Sequence, residues 1–409
     1  MINISNKYEC CGCEACAQMC PAKCISIEYD SEGFFYPKVN VNKCIKCGAC
    51  ENVCPIIQEK KSNQYKSNKD EKIECYSVIN KDENVRLRSS SGGFFSIIAE
   101  KVLLSGGVVY GAAMSDDCKS VKHIAIQSIE ELEKLRGSKY VQSCITDTYK
   151  QVKFDLQAGR KVLFSGTPCQ VNALKYFLCV DYNNLICVDF ICHGVPSPKV
   201  WRKYVEYREK RDGSTARKIY FRNKMYGWKN FALKINYDEN KVYVKKNSED
   251  LFMQAFLRDV CLRPSCHQCV FKKGNHRSDL IMADFWGVQN VSKDMDDDKG
   301  TSLVIVNSER GKNVFYELYS IMECKVEEFD KIEKYNSAYM NSSKPNRKRN
   351  KFFYYLDKIE FDVLVKKYAR KKINYKEQII NITDKIRLTS VMLKMYHWLQ
   401  NKCTITKDR

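Results

Sequence analysis

The sequence predicts an α/β protein in three parts: a short cysteine-rich module, a domain built on a mixed sheet, and a basic helical tail. Ten of the 22 cysteines lie before residue 55. Segments typical of strands and helices then alternate over residues 73–330, as in α/β domains. Residues 344–409 contain 18 Lys and Arg against 6 Asp and Glu. We expect the module at residues 1–57, a linker at 58–72, the α/β domain at 73–330 and the tail at 331–409.

The composition narrows the class of protein. Apolar residues make up 44% and aromatic residues 12% of the chain, which excludes a disordered polypeptide. The sequence has no run of about 18 apolar residues that would span a membrane. Because the first residues lack a basic segment followed by an apolar run, no secretory signal is predicted and we expect a cytoplasmic protein. In that compartment, many cysteines indicate metal binding rather than disulfides.

Two cysteine runs carry the most specific signal. Each follows the spacing C-x2-C-x2-C-x3-C and is followed by proline. This is the spacing of bacterial ferredoxins, in which the fourth cysteine of each run binds the other run's [4Fe–4S] cluster. Zinc also binds four thiolates, but its sites usually pair two separated knuckles. We therefore predict one cluster on Cys10, Cys13, Cys16 and Cys54, and a second on Cys20, Cys44, Cys47 and Cys50.

The segments around the second run have recognisable patterns. Residues 25–41 alternate on either side of Ser31-Glu32-Gly33, which predicts a β-hairpin between the two runs. Residues 58–72 are polar and charged, a composition typical of a linker.

Beyond residue 73 the pattern indicates a parallel or mixed sheet with helices between its strands. Strands are predicted at 106–114, 122–128, 161–166, 185–191, 279–287 and 300–308, with several short strands in 216–246. Helices are predicted at 94–104, 145–159, 198–211 and 252–262, and a further helix is predicted to begin at about residue 170.

Two loops of this domain could bind a ligand. Ser89–Gly93 precedes a helix, where free amides and the helix dipole can bind a phosphate, although serine also simply caps helices. Ser165–Gln170 follows a predicted buried strand, and open α/β sheets place ligands at such strand ends. A tight turn with a buried cysteine is the alternative for this second loop.

A third loop resembles a metal site that lacks one ligand. Cys261, Cys266 and Cys269 lie within nine residues. We predict Cys192 as the fourth ligand, with Cys169 in reserve, and a third [4Fe–4S] cluster as the bound group. Zinc and a site without metal are the alternatives.

Several motifs occur together and in order. They are the ferredoxin runs, SSGG (90–93), GSKYVQS (137–143), SGTPCQV (165–171), ICHGVPSP (191–198), CLRPSCHQCVFK (261–272) and RSDLIMADFWG (277–287). Over residues 8–330 the chain resembles the β-subunit family of coenzyme F-420-reducing hydrogenases and dehydrogenases. That resemblance implies an FAD-binding α/β domain with its own [4Fe–4S] cluster.

The resemblance also implies roles for individual residues. Ser91, Gly92 and Gly93 would lie beside the flavin phosphates. Arg277, Asp279 and Asp284 match a family signature, for which an internal ion pair at the end of a strand is the structural explanation. The remaining residues implied near the flavin are Lys139, Gly166, Thr167, Pro168, Cys169 and Gln170.

Two functions are compatible with this sequence. The first is an oxidoreductase in which clusters carry single electrons and FAD exchanges two with a small molecule. The second is a non-catalytic, polyferredoxin-like electron-transfer adaptor, which could serve surface-polysaccharide synthesis. Either would need a redox partner such as a ferredoxin or a subunit of another oxidoreductase.

The basic tail has its own expectations. The chain carries a net charge of +20, and residues 344–351 form a basic run. Two amphipathic helices are predicted after this run. They could contact the inner face of a membrane, meet an acidic partner or pack on the protein core. No nucleic-acid-binding motif accompanies the charge, so we expect no specific nucleic-acid recognition.

Overall fold

The computed structural model describes residues 1–62 and 73–369. The cysteine-rich module contains three short helices, α1 (Ala15–Met19), α2 (Ala49–Asn52) and α3 (Pro55–Ser62). Strands β1 (Ile25–Tyr29) and β2 (Phe35–Val39) pair antiparallel, so the predicted hairpin is confirmed. Its turn forms because the Asp30 carboxylate accepts hydrogen bonds from the amides of Glu32 and Phe34, while Gly33 adopts a φ of +82°.

A mixed sheet organises the rest of the described chain. Its eight strands have the order β13-β3-β12-β11-β7-β6-β4-β5. The four central strands β11, β7, β6 and β4 run parallel and the outer pairs run antiparallel, which confirms the predicted α/β class. The strands are β3 (Glu74–Asn80), β4 (Val108–Met114), β5 (Val121–Ile126), β6 (Val162–Ser165), β7 (Leu185–Phe190), β8 (Ala216–Asn223), β9 (Ala232–Tyr237), β10 (Val242–Lys246), β11 (Leu280–Asp284), β12 (Ser302–Val306) and β13 (Met322–Glu328).

Helices join these strands, and β8, β9 and β10 form a separate three-stranded antiparallel sheet. Strands β3 and β13 were not predicted from the sequence. The helices are α4 (Glu83–Arg88), α5 (Phe94–Leu104), α6 (Leu132–Leu135), α7 (Thr148–Gln157), α8 (Pro168–Leu178), α9 (Pro198–Asp212), α10 (Leu251–Leu257), α11 (Val288–Val291), α12 (Glu309–Glu317), α13 (Phe329–Ile332), α14 (Arg349–Tyr355) and α15 (Phe361–Tyr368).

The two faces of the sheet belong to different cores because successive strand residues point to opposite sides. On β4, Val109 packs in the core that contains α5, α6 and α12. Val108 and Tyr110 pack instead with α7 and α8, and with Cys13 and Ala15 of the module. The cysteine-rich module therefore shares a core with one face of the sheet.

Two buried polar side chains fasten the module to the α/β domain. The carboxylate of Glu14 accepts hydrogen bonds from the amides of Ile145 and Thr146 at 2.9 and 3.0 Å. The side chain of Gln18 accepts a bond from the amide of Tyr149, at the start of α7. Such a bond satisfies an amide that lacks an intrahelical partner.

Residues 58–62, predicted as the start of a linker, lie in α3 instead. Glu59 is fully buried and forms an ion pair of 2.8 Å with Arg277, and it also accepts a hydrogen bond from Tyr176. One residue of this polar segment is therefore buried and paired, which its composition does not show. The rest of the predicted linker, residues 63–72, lies outside the described residues.

Of Arg277, Asp279 and Asp284, Asp284 forms an internal ion pair at the end of a strand, as the structural explanation has it, with a partner outside this motif. Arg277 pairs with Glu59, and Asp284 pairs with Arg222 of β8 at 2.7 Å. Asp279 accepts hydrogen bonds from the backbone of β7 and from Ser308. The three charges therefore join different segments to β11.

One arginine of the basic run has a structural role. Arg349 is buried and holds Glu32 of the hairpin turn through two hydrogen bonds of 2.9 and 2.6 Å. It also donates to the carbonyl of Leu262. Helices α14 and α15 follow, whereas the second predicted amphipathic helix lies outside the described residues. Within the described ranges, every helix is too short or too polar to cross a membrane.

Replacing Arg349 tests this anchoring role. Arg349→Met should lower the free energy of unfolding by about 2 kcal/mol, because it leaves the Glu32 carboxylate without its bidentate partner. Lys351→Met, at an exposed position of the same run, should change it by less than about 0.5 kcal/mol. Anaerobic denaturant unfolding measures both. Equal effects of the two variants would contradict an anchoring role.

Candidate functional site

The first cysteine set consists of Cys10, Cys13, Cys16 and Cys54. All four line one recess with about 390 Å³ between its walls, part of it open to solvent. Cys13, Cys16 and Cys54 are buried, and burial raises the pKa of the Cys16 and Cys54 thiols above the usual range. The structure thus brings together the four cysteines that the crossed ferredoxin pattern predicts for one cluster.

The second cysteine set consists of Cys20, Cys44, Cys47 and Cys50. These cysteines line another recess of about 340 Å³. The amide of Ile2 donates a hydrogen bond of 3.3 Å to the sulfur of Cys50, and the amide of Cys24 donates one of 3.4 Å to that of Cys20. Among these four cysteines, Cys47 is the exposed one.

The two runs share an unusual backbone pattern. The second and fourth residues after the first cysteine have positive φ in both runs: Gly12 and Glu14 in one, Lys46 and Gly48 in the other. Glycine adopts this conformation readily, whereas other residues are strained in it. Glu14 offsets its strain through the hydrogen bonds to Ile145 and Thr146.

The third cysteine set differs from the predicted one. The pKa values of Cys192 and Cys269 are raised to about 12 and about 11, chiefly by burial and further by the nearby Cys169. Cys266 lies within electrostatic range of all three. Gly194 permits this approach, since a Cβ there would lie 3.2 Å from the Cβ of Cys266. The four cysteines that lie near one another here, called the third set below, are Cys169, Cys192, Cys266 and Cys269.

Cys261 is not part of this set, contrary to the prediction. Its carbonyl accepts a hydrogen bond from the amide of Ser197, and the neighbouring Leu262 forms a β-bridge with Pro196. The groups that influence its thiol most are Arg349 and Asp259, not another cysteine. Backbone pairing thus gives Cys261 other neighbours, whereas Cys169, the predicted reserve ligand, lies near the other three residues.

Cys11 connects the first and third sets. Its side chain packs against the apolar cluster that contains Cys13, and also against the cluster that borders Cys169 and Cys269. Cys169 also contacts the hydroxyl of Thr167 at 3.0 Å. Cys11 therefore lies in apolar surroundings that it shares with residues of the first and third sets.

In the described ranges, no three Cys, His, Asp or Glu side chains are grouped so that they could share one metal ion. A zinc ion needs its ligands around a single point. In a cubane, by contrast, each thiolate binds a different iron, so the four sulfurs stand apart. The donor sets fit [4Fe–4S] clusters better than zinc.

The loops predicted to hold flavin lie along one edge of the sheet. Ser138 donates its amide to the hydroxyl of Ser90, which joins the SSGG loop to the segment that carries Lys139. Gln170 donates to Ser143, which joins the same segment to the loop after β6. The structure thus brings together the SSGG loop, the segment that carries Lys139 and the loop after β6.

Some amides of these loops already have partners. Gly92 donates to the hydroxyl of Ser302, and Thr167 donates to the side chain of Gln170 in a capping box. Gly166 donates to the carbonyl of Val188. Pro168 has no amide hydrogen and begins α8, and Gly93 precedes α5 with a φ of +92°. The predicted phosphate contacts therefore cannot use the amides of Gly92, Gly166 or Thr167.

Two bases lie near this edge, the half-buried Lys139 and the buried His123. Burial lowers the pKa of Lys139 to about 7, and its amine donates to the carbonyls of Leu135 and Arg136. Burial likewise lowers the pKa of His123 to about 4. His123 contacts the carbonyl of Ser165 through Nε2, while its Nδ1 has no partner. Sequence reasoning missed His123, because nothing in its spacing marks it.

Sequence reasoning also missed Arg263, inside the CLRPSCHQC segment. Its guanidinium is completely buried and donates to the carbonyls of Cys10 and Phe35 and to the side chain of Gln142. The residue therefore bridges the cysteine-rich module and the loop of the third set.

Comparisons with known proteins find matches to the cysteine-rich module and to the α/β domain. A family model for the C terminus of the beta subunit in coenzyme F-420 hydrogenase/dehydrogenase matches residues 159–334. Models described as 4Fe-4S dicluster domains match residues 9–56 and 40–122.

Individual relatives match over limited lengths. The coenzyme F-420-dependent sulfite reductase of Methanocaldococcus jannaschii is 28% identical over 178 residues, which are 42% of this chain and 26% of that protein. NADH-quinone oxidoreductase subunit I of Pelobacter propionicus is 39% identical over 57 residues, 12% of this chain and 31% of that one. The chain thus spans less than a third of either relative.

A solved structure of the F-420-reducing [NiFe] hydrogenase complex from Methanosarcina barkeri contains a similar chain, with 18% identity and a TM-score of 0.45. The match covers 62% of this chain and 82% of that one. The family models thus match two parts of this protein: 4Fe-4S dicluster domains match the cysteine-rich module, and the C terminus of the coenzyme F-420 hydrogenase/dehydrogenase beta subunit matches residues 159–334.

Proposed function

We propose that this protein is an iron–sulfur flavoprotein oxidoreductase that passes electrons between [4Fe–4S] clusters and a two-electron donor or acceptor. The observation that carries the proposal is the continuity of the cysteine sets. One apolar cluster contains Cys16 and Cys54 of the first set and Cys50 of the second, and Cys169 and Cys269 of the third set pack against it. The second set reaches the surface at Cys47. The third set in turn includes Cys169, in the loop at the sheet edge.

Each cysteine set would hold one cubane. Four thiolates are the usual ligands of a [4Fe–4S] cluster, and backbone amides that donate to the sulfurs, as at Cys20 and Cys50, help to set its potential. The first and second sets follow the crossed ferredoxin assignment. In the third, Cys169 replaces Cys261 as a ligand.

The flavin would lie at the sheet edge between the SSGG loop and the loop after β6. When bound, FAD would couple the single electrons of the clusters to two-electron chemistry on a small molecule. Lys139, with a pKa near 7, could supply a proton or a positive charge there. The side chains of Ser91 and Gln170, like some amides of these loops, already have partners within the protein. The amine of Lys139 donates to two carbonyls and has three N–H groups, so it is the candidate for a direct contact.

Electrons would be exchanged with a partner protein near Cys47. Ile45 and Lys46 line the same recess as Cys47, and Ile45 is 66% exposed. Val41 and Lys43, a few residues earlier in the sequence, are also exposed. Exposed apolar and lysine side chains suit an acidic redox protein such as a ferredoxin, because charge complementarity speeds association. A subunit of another oxidoreductase could dock in the same way.

The alternative function is an electron-transfer adaptor without flavin. It is favoured by the amides of Gly92, Gly166 and Thr167, whose internal hydrogen bonds leave fewer donors for a flavin phosphate. An adaptor would keep the clusters and bind no flavin.

Iron content tests the third set. The wild-type protein, reconstituted anaerobically, should contain about twelve irons in three cubanes. Cys169→Ala should lower the content toward about eight, because it removes a ligand of the third cluster only. The matched variant Cys261→Ala should keep the wild-type iron content. Loss of iron from Cys261→Ala, with retention in Cys169→Ala, would restore the assignment predicted from sequence.

Flavin binding tests the oxidoreductase. The anaerobic protein should release about one FAD per chain, and dithionite-reduced ferredoxin should bleach the flavin absorbance. Lys139→Met should weaken FAD retention about tenfold, as expected for losing a polar contact. Lys134→Met, at an exposed position in α6, should not change it. A protein with full iron and no flavin affinity would support the adaptor instead.

A further inference from the structure

Arg263 places a positive charge between two of the cysteine sets. Its side chain is 0% exposed. Its Nε donates to the carbonyl of Cys10 at 2.8 Å, within the loop of the first set. Cys266, a member of the third set, follows three residues later, and the amide of Cys266 donates to the carbonyl of Arg263 at 3.0 Å.

The fold makes room for this charge. Gly12 has a φ of +68°, and a Cβ at that position would lie 2.8 Å from Nη1 of Arg263 and 2.6 Å from Nε2 of Gln142. Any other residue at position 12 would therefore push the guanidinium away. The close approach of Arg263 to the first set depends on this glycine.

The hydrogen-bond partners of Arg263 are neutral. They are the carbonyls of Cys10 and Phe35 and the side-chain oxygen of Gln142. The ring of Tyr36, 4.2 Å from the guanidinium carbon, adds a cation–π contact. In the described part of the chain, no carboxylate lies within ion-pair distance of this group. Glu14 is the carboxylate that acts on it electrostatically, from farther away.

A buried charge without an ionic partner is strongly unfavourable, so buried arginines are normally paired. The unmatched charge of Arg263 indicates an anion that belongs at this place. A [4Fe–4S] cluster with four thiolates is such an anion, and the proposed function puts one on either side of Arg263. The polypeptide and the two clusters would then balance one another's charge.

We propose that Arg263 is the shared counter-ion of the clusters held by the first and third cysteine sets, and that it raises the reduction potential of both. This inference rests on the proposed clusters but not on flavin or on any substrate. Reduction adds one electron to a cluster that is already anionic, with no bond broken and no proton transferred. A fixed positive charge therefore stabilises the reduced form more than the oxidised form.

Reduction potentials measured by EPR-monitored titration with dithionite test the proposal. Iron content is measured first, so that a missing cluster is recognised as a failure of the proposed function. In Arg263→Gln with full iron, the equilibrium constants for reduction of the first and third clusters should fall at least tenfold. This corresponds to a potential lower by about 59 mV for one electron. The second cluster, away from Arg263, serves as the internal reference and should move less.

Arg263→Lys is the matched control, because lysine keeps the charge and loses the planar fork. Its reduction equilibrium constants should stay within about threefold of the wild-type values. In potential, that is less than half of the shift expected for Arg263→Gln. Unchanged potentials in Arg263→Gln would overturn the proposal. Equal shifts in the two variants would also overturn it, since geometry rather than charge would then be the cause.

A second variant keeps the test decisive if Arg263→Gln does not fold. Gln142→Glu retains the oxygen that accepts from Nη1 and gives Arg263 a carboxylate partner. Because that carboxylate neutralises the counter-ion, the potentials of the first and third clusters should fall by about as much as in Arg263→Gln. Potentials of the first and third clusters that remain at wild-type values in Gln142→Glu would contradict a counter-ion role.

Discussion

The carboxylate of Glu14 is the interaction on which the arrangement of the redox sites depends. Glu14 lies in the left-handed backbone region between two cysteines of the first set, and it accepts bonds from two consecutive amides of the α/β domain. Burial raises the pKa of Glu14, while the bonds to Ile145 and Thr146 act in the opposite direction. One side chain thus shapes the first cysteine loop and fixes it against the sheet.

Other buried contacts reinforce this attachment at separate points. Gln18 caps α7, Glu59 pairs with Arg277, and Arg349 holds the hairpin turn through Glu32. Charged groups in such places cost free energy unless they are well paired, so they specify one docking geometry more than they add stability. Electron transfer between clusters needs such a fixed geometry, which a flexible tether between the module and the sheet would not provide.

Local sequence patterns were sufficient for part of this account. Cysteine spacing predicted which residues share the first and second recesses, and alternation predicted the hairpin and most strands of the sheet. Strands β3 and β13 were missed, because they pair with each other across more than two hundred residues and carry no strong periodicity of their own. The polar segment at residues 58–62 was misread as a linker, since composition does not reveal that Glu59 meets a distant arginine.

The third set shows the same limit more sharply. Cys261 is close to Cys266 in sequence, but its backbone pairs with residues 196 and 197 and turns it away. Cys169 is about a hundred residues earlier and is brought in by the end of β6. Arg263 gave no signal, because an arginine in a loop is usually solvated and its burial follows from the docking of the module.

The central claim is that the three clusters lie in one continuous body, close enough to exchange electrons. EPR spectroscopy of the fully reduced, reconstituted protein tests it most directly. The account predicts a broadened, interacting signal, with a contribution that disappears when Cys169 is replaced by alanine. A spectrum that is the simple sum of isolated, non-interacting clusters would contradict it.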